Sequence, residues 1–330
     1  MEQAWGIPFS PEEFIQEAVS RGHPKLISTL VPPVLMEAVF HNFQNEDLGH
    51  LPKLRADWFS KWTARAKELQ PAEMEMKAGM PAHIANILKP KRLLLWKEIL
   101  LDLGYPDADV VSELANGTEL VGEVPTYGIF EKTFKPAETT VDSLCKEAKS
   151  IKQKHYHSCR SSGDKEIDEL VWKKTQEEVE LGWASGPIDI ANLPADAIVS
   201  RRFGLRQPGK IRLIDDLSAS NVNQTVQCAE SPKPQSIDFV AALLLTILKS
   251  SGGAQIQGRS FDLKSAYKQL AIAESSLQFA FVAIYNPYKK RAELYQLLAA
   301  PFGATRSVYS FLRISHAIWF TGVKALKIMW

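Results

Sequence analysis

The sequence predicts an α+β protein, in which a helical N-terminal region precedes a layer of strands and helices. Up to about residue 140, apolar residues recur at helical spacing between short breaks at proline and glycine. From about residue 190, short strand-like runs alternate with helical patterns and turn residues. We therefore predict three parts: a helical region at 1–140, a helical connector at 141–189 and an α+β domain at 190–330.

Capping and proline signals place the helices of the first part. Ser10 begins a capping box, with Pro11 at the first helical position. Three further helices are predicted to begin at prolines, where the missing N–H costs nothing, and they span 33–42, 52–69 and 90–103. This region carries no chemical motif, and a role in protein interaction is one hypothesis for it.

The connector is predicted to form two long polar helices, at 141–158 and 164–182. Beyond it, helices are predicted after Ser236 and from Ala304. The predicted strands of the last part lie at 197–205, 210–214, 256–263, 278–285 and 292–297. The first two of these strands flank a Pro-Gly turn and are predicted to form a hairpin.

Composition excludes several classes of protein. With 45% apolar and 23% charged residues among 330, the chain has the balance of a globular protein. The net charge of +1 means that any surface for nucleic acid must be local. The three cysteines do not suit a disulfide framework, which favours a cytoplasmic or nuclear location. We expect neither a signal peptide nor a membrane span.

The segment 260–270 is the most informative one for chemistry. Its predicted strand ends in one carboxylate, Asp262, and small Ala266 and aromatic Tyr267 follow it. A carboxylate at a rigid strand end is a ligand for Mg²⁺, and two such ions stabilise the attacking and leaving oxygens of nucleotidyl transfer. The aromatic ring is suited to form the floor of a sugar pocket, and the small residue leaves room for the substrate backbone.

A second segment, 201–212, carries five cations and no acidic residue. On a β-hairpin, such a run is suited to bind a triphosphate or a phosphate backbone. The alternative is a solvated hairpin edge, where cations discourage aggregation.

Three segments together resemble the reverse transcriptases of retrotransposons, DIRS-like or related. Phe-Asp-Leu-Lys-Ser-Ala-Tyr, ending at Tyr267, is similar to the family's motif A, and Ala-Pro-Phe-Gly, ending at Gly303, is similar to its motif B. The basic run resembles the fingers hairpin, with Asn221 or Asn223 after it. Ala300 stands where motif B usually has leucine. The three segments follow the family's order over about 190–325, which makes their joint signal more specific than each alone.

The resemblance implies that 190–330 is an incomplete fingers and palm domain of an RNA-directed DNA polymerase. It implies that Asp262 and the backbone carbonyl of Leu263 bind two Mg²⁺ ions, and that Tyr267 excludes ribonucleotides. The implied partners are an RNA or DNA template with primer, and deoxynucleoside triphosphates. The other implied nucleotide-binding residues are Arg206, Lys210, Arg212, Phe302 and Gly303, and the implied nucleic-acid-binding residues are Arg201 and Arg202.

The family's third palm motif, an aromatic–x–Asp–Asp hairpin, is not found after motif B in this sequence, which ends at Trp330. Because Asp262 then remains the one predicted catalytic carboxylate, we expect this chain alone not to polymerise DNA. A non-catalytic nucleic-acid-binding remnant of a retroelement is the alternative function.

Two other interpretations are less favoured. A permuted palm would use Asp215 and Asp216 as its double carboxylate, but polar residues follow them instead of an apolar strand. A zinc site at His155, His157 and Cys159 is also disfavoured, because helical spacing places His157 off the face shared by the other two.

Overall fold

The computed structural model describes residues 10–21, 31–43, 49–253, 255–260 and 262–329, and it confirms the α+β class. The chain divides into two compact units. One is built from the described parts of Met1–Asp57, Pro234–Arg259 and Gly322–Trp330, and the other from Trp58–Lys233 and the described parts of Ser260–Thr321. Neither unit follows the boundaries predicted at 140 and 189.

Most predicted helices are present, and their capping signals act as expected. Ser10 and Glu13 form the reciprocal capping box of the first helix, at 2.9 and 3.2 Å. Thr140, Asp164 and Ser236 each accept a backbone N–H at the start of a later helix. The α-helices are α1 Pro11–Arg21, α2 Pro33–Phe43, α3 His50–Glu68, α4 Gln70–Ala78, α5 Ala82–Leu88, α6 Leu93–Asp102, α7 Val110–Asn116, α8 Val141–Ser158, α9 Lys165–Glu180, α10 Ile237–Ser250 and α11 Thr305–Leu326.

Helix α6 begins three residues later than its proline predicts. The buried carboxylate of Glu73 accepts the backbone N–H groups of Leu93 and Leu94 at 2.9 and 2.8 Å. This side chain satisfies donors that have no partner within the helix. A residue of another helix therefore sets where α6 starts.

Two sheets contain the strands of the described chain. A five-stranded sheet has the order β3-β8-β7-β4-β5, and a three-stranded sheet has the order β1-β6-β2. The predicted hairpin is confirmed as β4 and β5, which pair in register from Arg201 opposite Asp216 to Gln207 opposite Lys210. The strands are β1 Glu123–Val124, β2 Glu131–Lys135, β3 Ala184–Ile188, β4 Val199–Gln207, β5 Lys210–Asp216, β6 Gln227–Ser231, β7 Phe281–Asn286 and β8 Arg291–Leu297.

The strand predicted at 256–263 is not formed. Residues 255–260 and 262–263 are irregular, and a 3₁₀ turn follows at Ala266–Gln269. Gly252, Gly253 and Gly258 weaken strand formation nearby, and no strand of the described sheets pairs with this segment. An isolated strand would leave its backbone N–H and C=O groups without partners. An apolar run therefore forms a strand only where a neighbouring strand can pair with it.

One core joins α8 and α9 to the five-stranded sheet. Leu144 and Ile151 of α8 and Val171 of α9 pack with Ile198 and Ile284. The polar helices of the predicted connector therefore bury one face on the sheet. This packing explains why the predicted boundary at residue 189 does not divide the chain.

The other unit has its own contacts. Helix α2 packs on α10, and Glu37 of α2 pairs with Lys324 at 2.8 Å and with Lys327 at 2.5 Å. Hydrogen bonds from Lys324 and Lys327 lower the pKa of Glu37 to about 2. Arg55 donates to the carbonyl of Leu326 at 2.8 Å, which attaches α3 to the same end of α11.

Candidate nucleotide site

The motif A segment forms an exposed turn instead of a strand end. Asp262 and Leu263 are exposed, and Ser265 adopts a left-handed conformation with φ 57° before the 3₁₀ turn. The backbone of Ala266 donates to the carbonyl of Leu263 at 3.1 Å, which closes the turn. The carboxylate of Asp262 is thus accessible to a ligand from solvent.

Tyr267 joins the motif A turn to motif B through its ring. Its centroid lies 4.7 Å from that of Phe302 in an edge-to-face arrangement, and 5.0 Å from that of Phe311. Phe302 itself is exposed. Burial raises the pKa of the Tyr267 phenol above its ordinary value. Two residues that the resemblance assigns to one nucleotide site are therefore in contact.

Backbone hydrogen bonds hold the two motifs together. Ala300 donates to the carbonyl of Leu270 at 2.8 Å, and Ile272 donates to that of Leu298 at 2.9 Å. These bonds place the residues after the motif A turn beside the residues before the motif B turn. The position of Tyr267 on Phe302 is consequently fixed by the main chain as well as by ring contact.

Gly303 brings motif B against the end of the basic hairpin. Its φ is 107°, and a Cβ at this position would lie 2.3 Å from the carbonyl oxygen of Asp215. Asn223 bridges the same junction, because it donates to the carbonyl of Gly303 and accepts from the backbone of Thr305, both at 2.8 Å. Of the two asparagines that the resemblance left open, Asn223 makes this bridge.

The cations of the hairpin have different environments. Lys210 and Arg212 are exposed and belong to none of the ion pairs among the described residues. Arg206 is also exposed, but pairs with Asp164 at 2.7 Å and with Glu166 at 2.8 Å at the start of α9. Arg206 would have to leave these two carboxylates before it could bind a phosphate.

Arg201 and Arg202 lie on opposite faces of β4. Arg201 is half-exposed, with Asp216 at 3.5 Å and the Phe203 ring at 5.9 Å. Arg202 is buried, with only 3% of its surface exposed. The prediction that Arg202 contacts nucleic acid is therefore wrong, because its guanidinium is directed into the protein and is saturated there.

A buried ionic network surrounds Arg202. Its guanidinium donates to Asp215 at 2.6 and 3.2 Å and to Glu178 of α9 at 2.8 Å. The other oxygen of Glu178 lies 3.0 Å from the ammonium of Lys268, the residue after Tyr267. Burial acts to raise the pKa of Glu178, but the charges of Arg202 and Lys268 outweigh it and the pKa is lowered. The network thus links the hairpin, α9 and the motif A turn.

Sequence reasoning missed Glu178 and Lys268. Glu178 looks like any acid on a polar helix, and its partners are 24 and 90 residues away. Asp215 and Asp216, which a permuted palm would use as catalytic carboxylates, instead pair with Arg202 and Arg201. These two ion pairs had a weak signal in the sequence, because opposite charges frequently face each other on neighbouring strands of a hairpin.

The described residues do not form a complete site for Mg²⁺. They contain no group of three histidine, cysteine, aspartate or glutamate side chains that would hold a metal ion. Asp262 alone supplies one carboxylate, whereas two-ion chemistry uses several. His155 of the disfavoured zinc interpretation has a structural contact, since its Nδ1 lies 2.7 Å from the carbonyl of Val199.

Comparison with protein-family models, with curated proteins and with solved structures gave no match to this chain. Across the described ranges of the chain, no helix combines the length and the apolar character needed to cross a bilayer.

Proposed function

We propose that this chain supplies the nucleotide- and template-binding part of a retroelement RNA-directed DNA polymerase. The observation that carries the proposal is the convergence of three segments that are distant in sequence. Tyr267 contacts Phe302, and Gly303 lies against Asp215 at the base of the basic hairpin. These are the segments whose order and residues resemble the reverse transcriptases of retrotransposons.

Each residue of the proposed site has a distinct role. Lys210 and Arg212, which lie on one face of the hairpin, bind the phosphates of the incoming deoxynucleotide, whereas Arg206 lies on the opposite face with its acidic partners at the start of α9. Tyr267 and Phe302 form the surface for the sugar. Gly303 is assigned to the base side of the site by the resemblance, and the structure requires glycine there because the carbonyl of Asp215 lies where a Cβ would be.

The proposed partners are deoxynucleoside triphosphates and an RNA or DNA template with primer, and the proposed location is the cytoplasm or the nucleus. Arg201 is the remaining cation of β4 that is accessible to a nucleic-acid backbone. Its phosphate contact would be sequence-independent and sensitive to salt.

Metal chemistry is the incomplete part of the proposal. Two Mg²⁺ ions would supply charge stabilisation for phosphoryl transfer, and Asp262 with the carbonyl of Leu263 would be their ligands here. One carboxylate does not hold two such ions. Residues 1–330 are expected to bind nucleotide without extending a primer, and robust primer extension by the purified chain would contradict this.

A non-catalytic nucleic-acid-binding remnant is the second candidate. It is favoured by the position of Asp262, which lies in an exposed, irregular segment instead of at a rigid strand end. It predicts binding of primer–template that is indifferent to nucleotide, to Mg²⁺ and to Asp262→Asn.

The test is binding of a fluorescent deoxynucleoside triphosphate to the chain with primer–template, with and without Mg²⁺. We expect Mg²⁺ to strengthen binding and Asp262→Asn to abolish that gain. The triple variant Arg206→Gln, Lys210→Gln, Arg212→Gln is expected to weaken binding about tenfold or more, since charged hydrogen bonds to phosphate are lost. Nucleotide binding that ignores both sets of substitutions would overturn the proposal.

A further inference from the structure

The loop between α5 and α6 is a basic surface that the proposed site does not use. Residues 89–92, here called the basic loop, contain three cations and no acid. Lys89 and Arg92 are exposed, and Lys91 is half-buried with its ammonium 3.3 Å from the carbonyl of Ile87. None of the ion pairs among the described residues includes these three cations.

The basic loop is held in place by α4. The ammonium of Lys77 donates to the backbone carbonyls of Lys89 and Lys91, and Glu73 caps α6 directly after the loop. Glu73 and Lys77 also pair with each other at 3.1 Å, so the charge of this acid is already neutralised. Burial and the charge of Lys77 lower the pKa of Lys91, which is the sign of a cation that lacks a counterion.

An apolar cavity of about 300 Å³ opens beside this loop. Lys91 and Arg92 line one side, and Trp96 and Phe311 are its aromatic residues. Leu263, Ala266 and Gln269 of the motif A turn also line it, and the other lining residues are aliphatic, namely Leu93, Leu114, Leu270, Ile314 and Ile318. The cavity therefore lies between the basic loop and the segment that carries Asp262.

We propose that the basic loop and this cavity bind a single strand of nucleic acid, with phosphates on Lys89, Lys91 and Arg92 and one unstacked base on Trp96. This inference rests on the proposed function. Cations that track a backbone, combined with an aromatic platform, are the features by which proteins bind single strands without sequence preference. The location beside motif A would place the strand next to the nucleotide.

The first test measures binding of a labelled single-stranded oligonucleotide to the full chain over a range of salt concentrations. The loop variant is Lys89→Gln, Lys91→Gln, Arg92→Gln. A matched control, Lys146→Gln, Lys149→Gln, Lys154→Gln, removes the same charge from exposed positions of α8, which does not line the cavity. We expect the loop variant to reduce the magnitude of the slope of log K against log salt by about 2, because each single-strand phosphate contact contributes about 0.7.

The second test isolates the base platform. Trp96→Leu keeps an apolar side chain in the cavity and is expected to weaken oligonucleotide binding at least about fivefold with no change in the salt slope. Circular dichroism melts establish that each variant is folded before its affinity is interpreted.

The outcomes separate this inference from the proposed function. If the hairpin variant at 206, 210 and 212 weakens nucleotide binding while the loop variant leaves the oligonucleotide slope unchanged, the inference fails and the function stands. Equal effects of the loop and α8 variants would show a response to net charge alone, and would also overturn the inference. If neither hairpin nor loop variant alters any binding, both proposals fail.

Discussion

At the scale of single residues, β4 shows why a run of like charges is not one surface. Arg201 and Arg202 are adjacent in sequence, but successive side chains of a strand point to opposite faces. Arg201 is half-exposed, whereas Arg202 is buried against two carboxylates. The two strand-like runs and the turn between them predicted the hairpin correctly, whereas the count of cations treated its two faces as one surface.

This difference gives the first prediction. Arg202→Met leaves Asp215 and Glu178 as buried carboxylates that have lost a partner, which costs about 3–5 kcal/mol of unfolding free energy. The matched change Arg201→Met removes an exposed, longer ion pair and costs about 0–1 kcal/mol. Urea unfolding of both variants measures the two values, and similar losses would refute the assignment of faces.

Gly303→Ala would place a Cβ 2.3 Å from the Asp215 carbonyl at a φ of 107°, so strain and a backbone clash act together. Gly209→Ala is the control, because its φ is also positive, at 75°, but open space surrounds it. We expect Gly209→Ala to cost about 1 kcal/mol and Gly303→Ala clearly more. Equal unfolding free energies of the two variants would mean that the backbone of Gly303 does not lie in close contact with the carbonyl of Asp215.

At the scale of elements, Glu178 connects α9 to the hairpin and to the motif A turn. Glu178→Gln leaves the buried ammonium of Lys268 without its carboxylate, and about 3 kcal/mol of stability is expected to be lost at pH 7. Glu177→Gln on the exposed side of the same helix is the control and should change little.

The pH dependence of this effect follows from the lowered pKa of Glu178. Because the folded pKa lies below the unfolded value of about 4.3, the carboxylate stabilises the fold fully above that value and less as pH falls through the folded pKa. The difference in unfolding free energy between wild type and Glu178→Gln should therefore be the same at pH 7 and at pH 6. It should become smaller in more acidic solution. A difference that grows on acidification would be inconsistent with this network.

Elements with local signals were predicted well, and elements that depend on distant partners were not. Helices α8, α9 and α10 carry their caps in adjacent residues, Thr140, Asp164 and Ser236. The start of α6 depends on Glu73, which lies 20 residues earlier in sequence. No pattern in the residues around Leu93 indicates this contact. The strand predicted at 256–263 failed for the same reason, because a strand forms only where another one pairs with it.

At the scale of the whole molecule, the candidate site is made from three segments that the sequence separates by up to about 100 residues. The resemblance supplied their identity and order, and the structure supplies the Tyr267–Phe302 contact, the Gly303–Asp215 contact and the Asn223 bridge. The division into units was not predictable from local patterns, because one unit brings together segments that are far apart in sequence, such as α2 and α10.

In the proposed deoxynucleotide site, Tyr267 and Phe302 form the surface for the sugar. The most direct measurement is the ratio of dissociation constants for a ribonucleoside and a deoxynucleoside triphosphate, with primer–template and Mg²⁺ present. We predict that wild type prefers the deoxynucleotide, that Tyr267→Phe keeps this preference because the ring remains, and that Tyr267→Ala loses it. A wild-type ratio near one, or a ratio that Tyr267→Ala leaves unchanged, would contradict the claim.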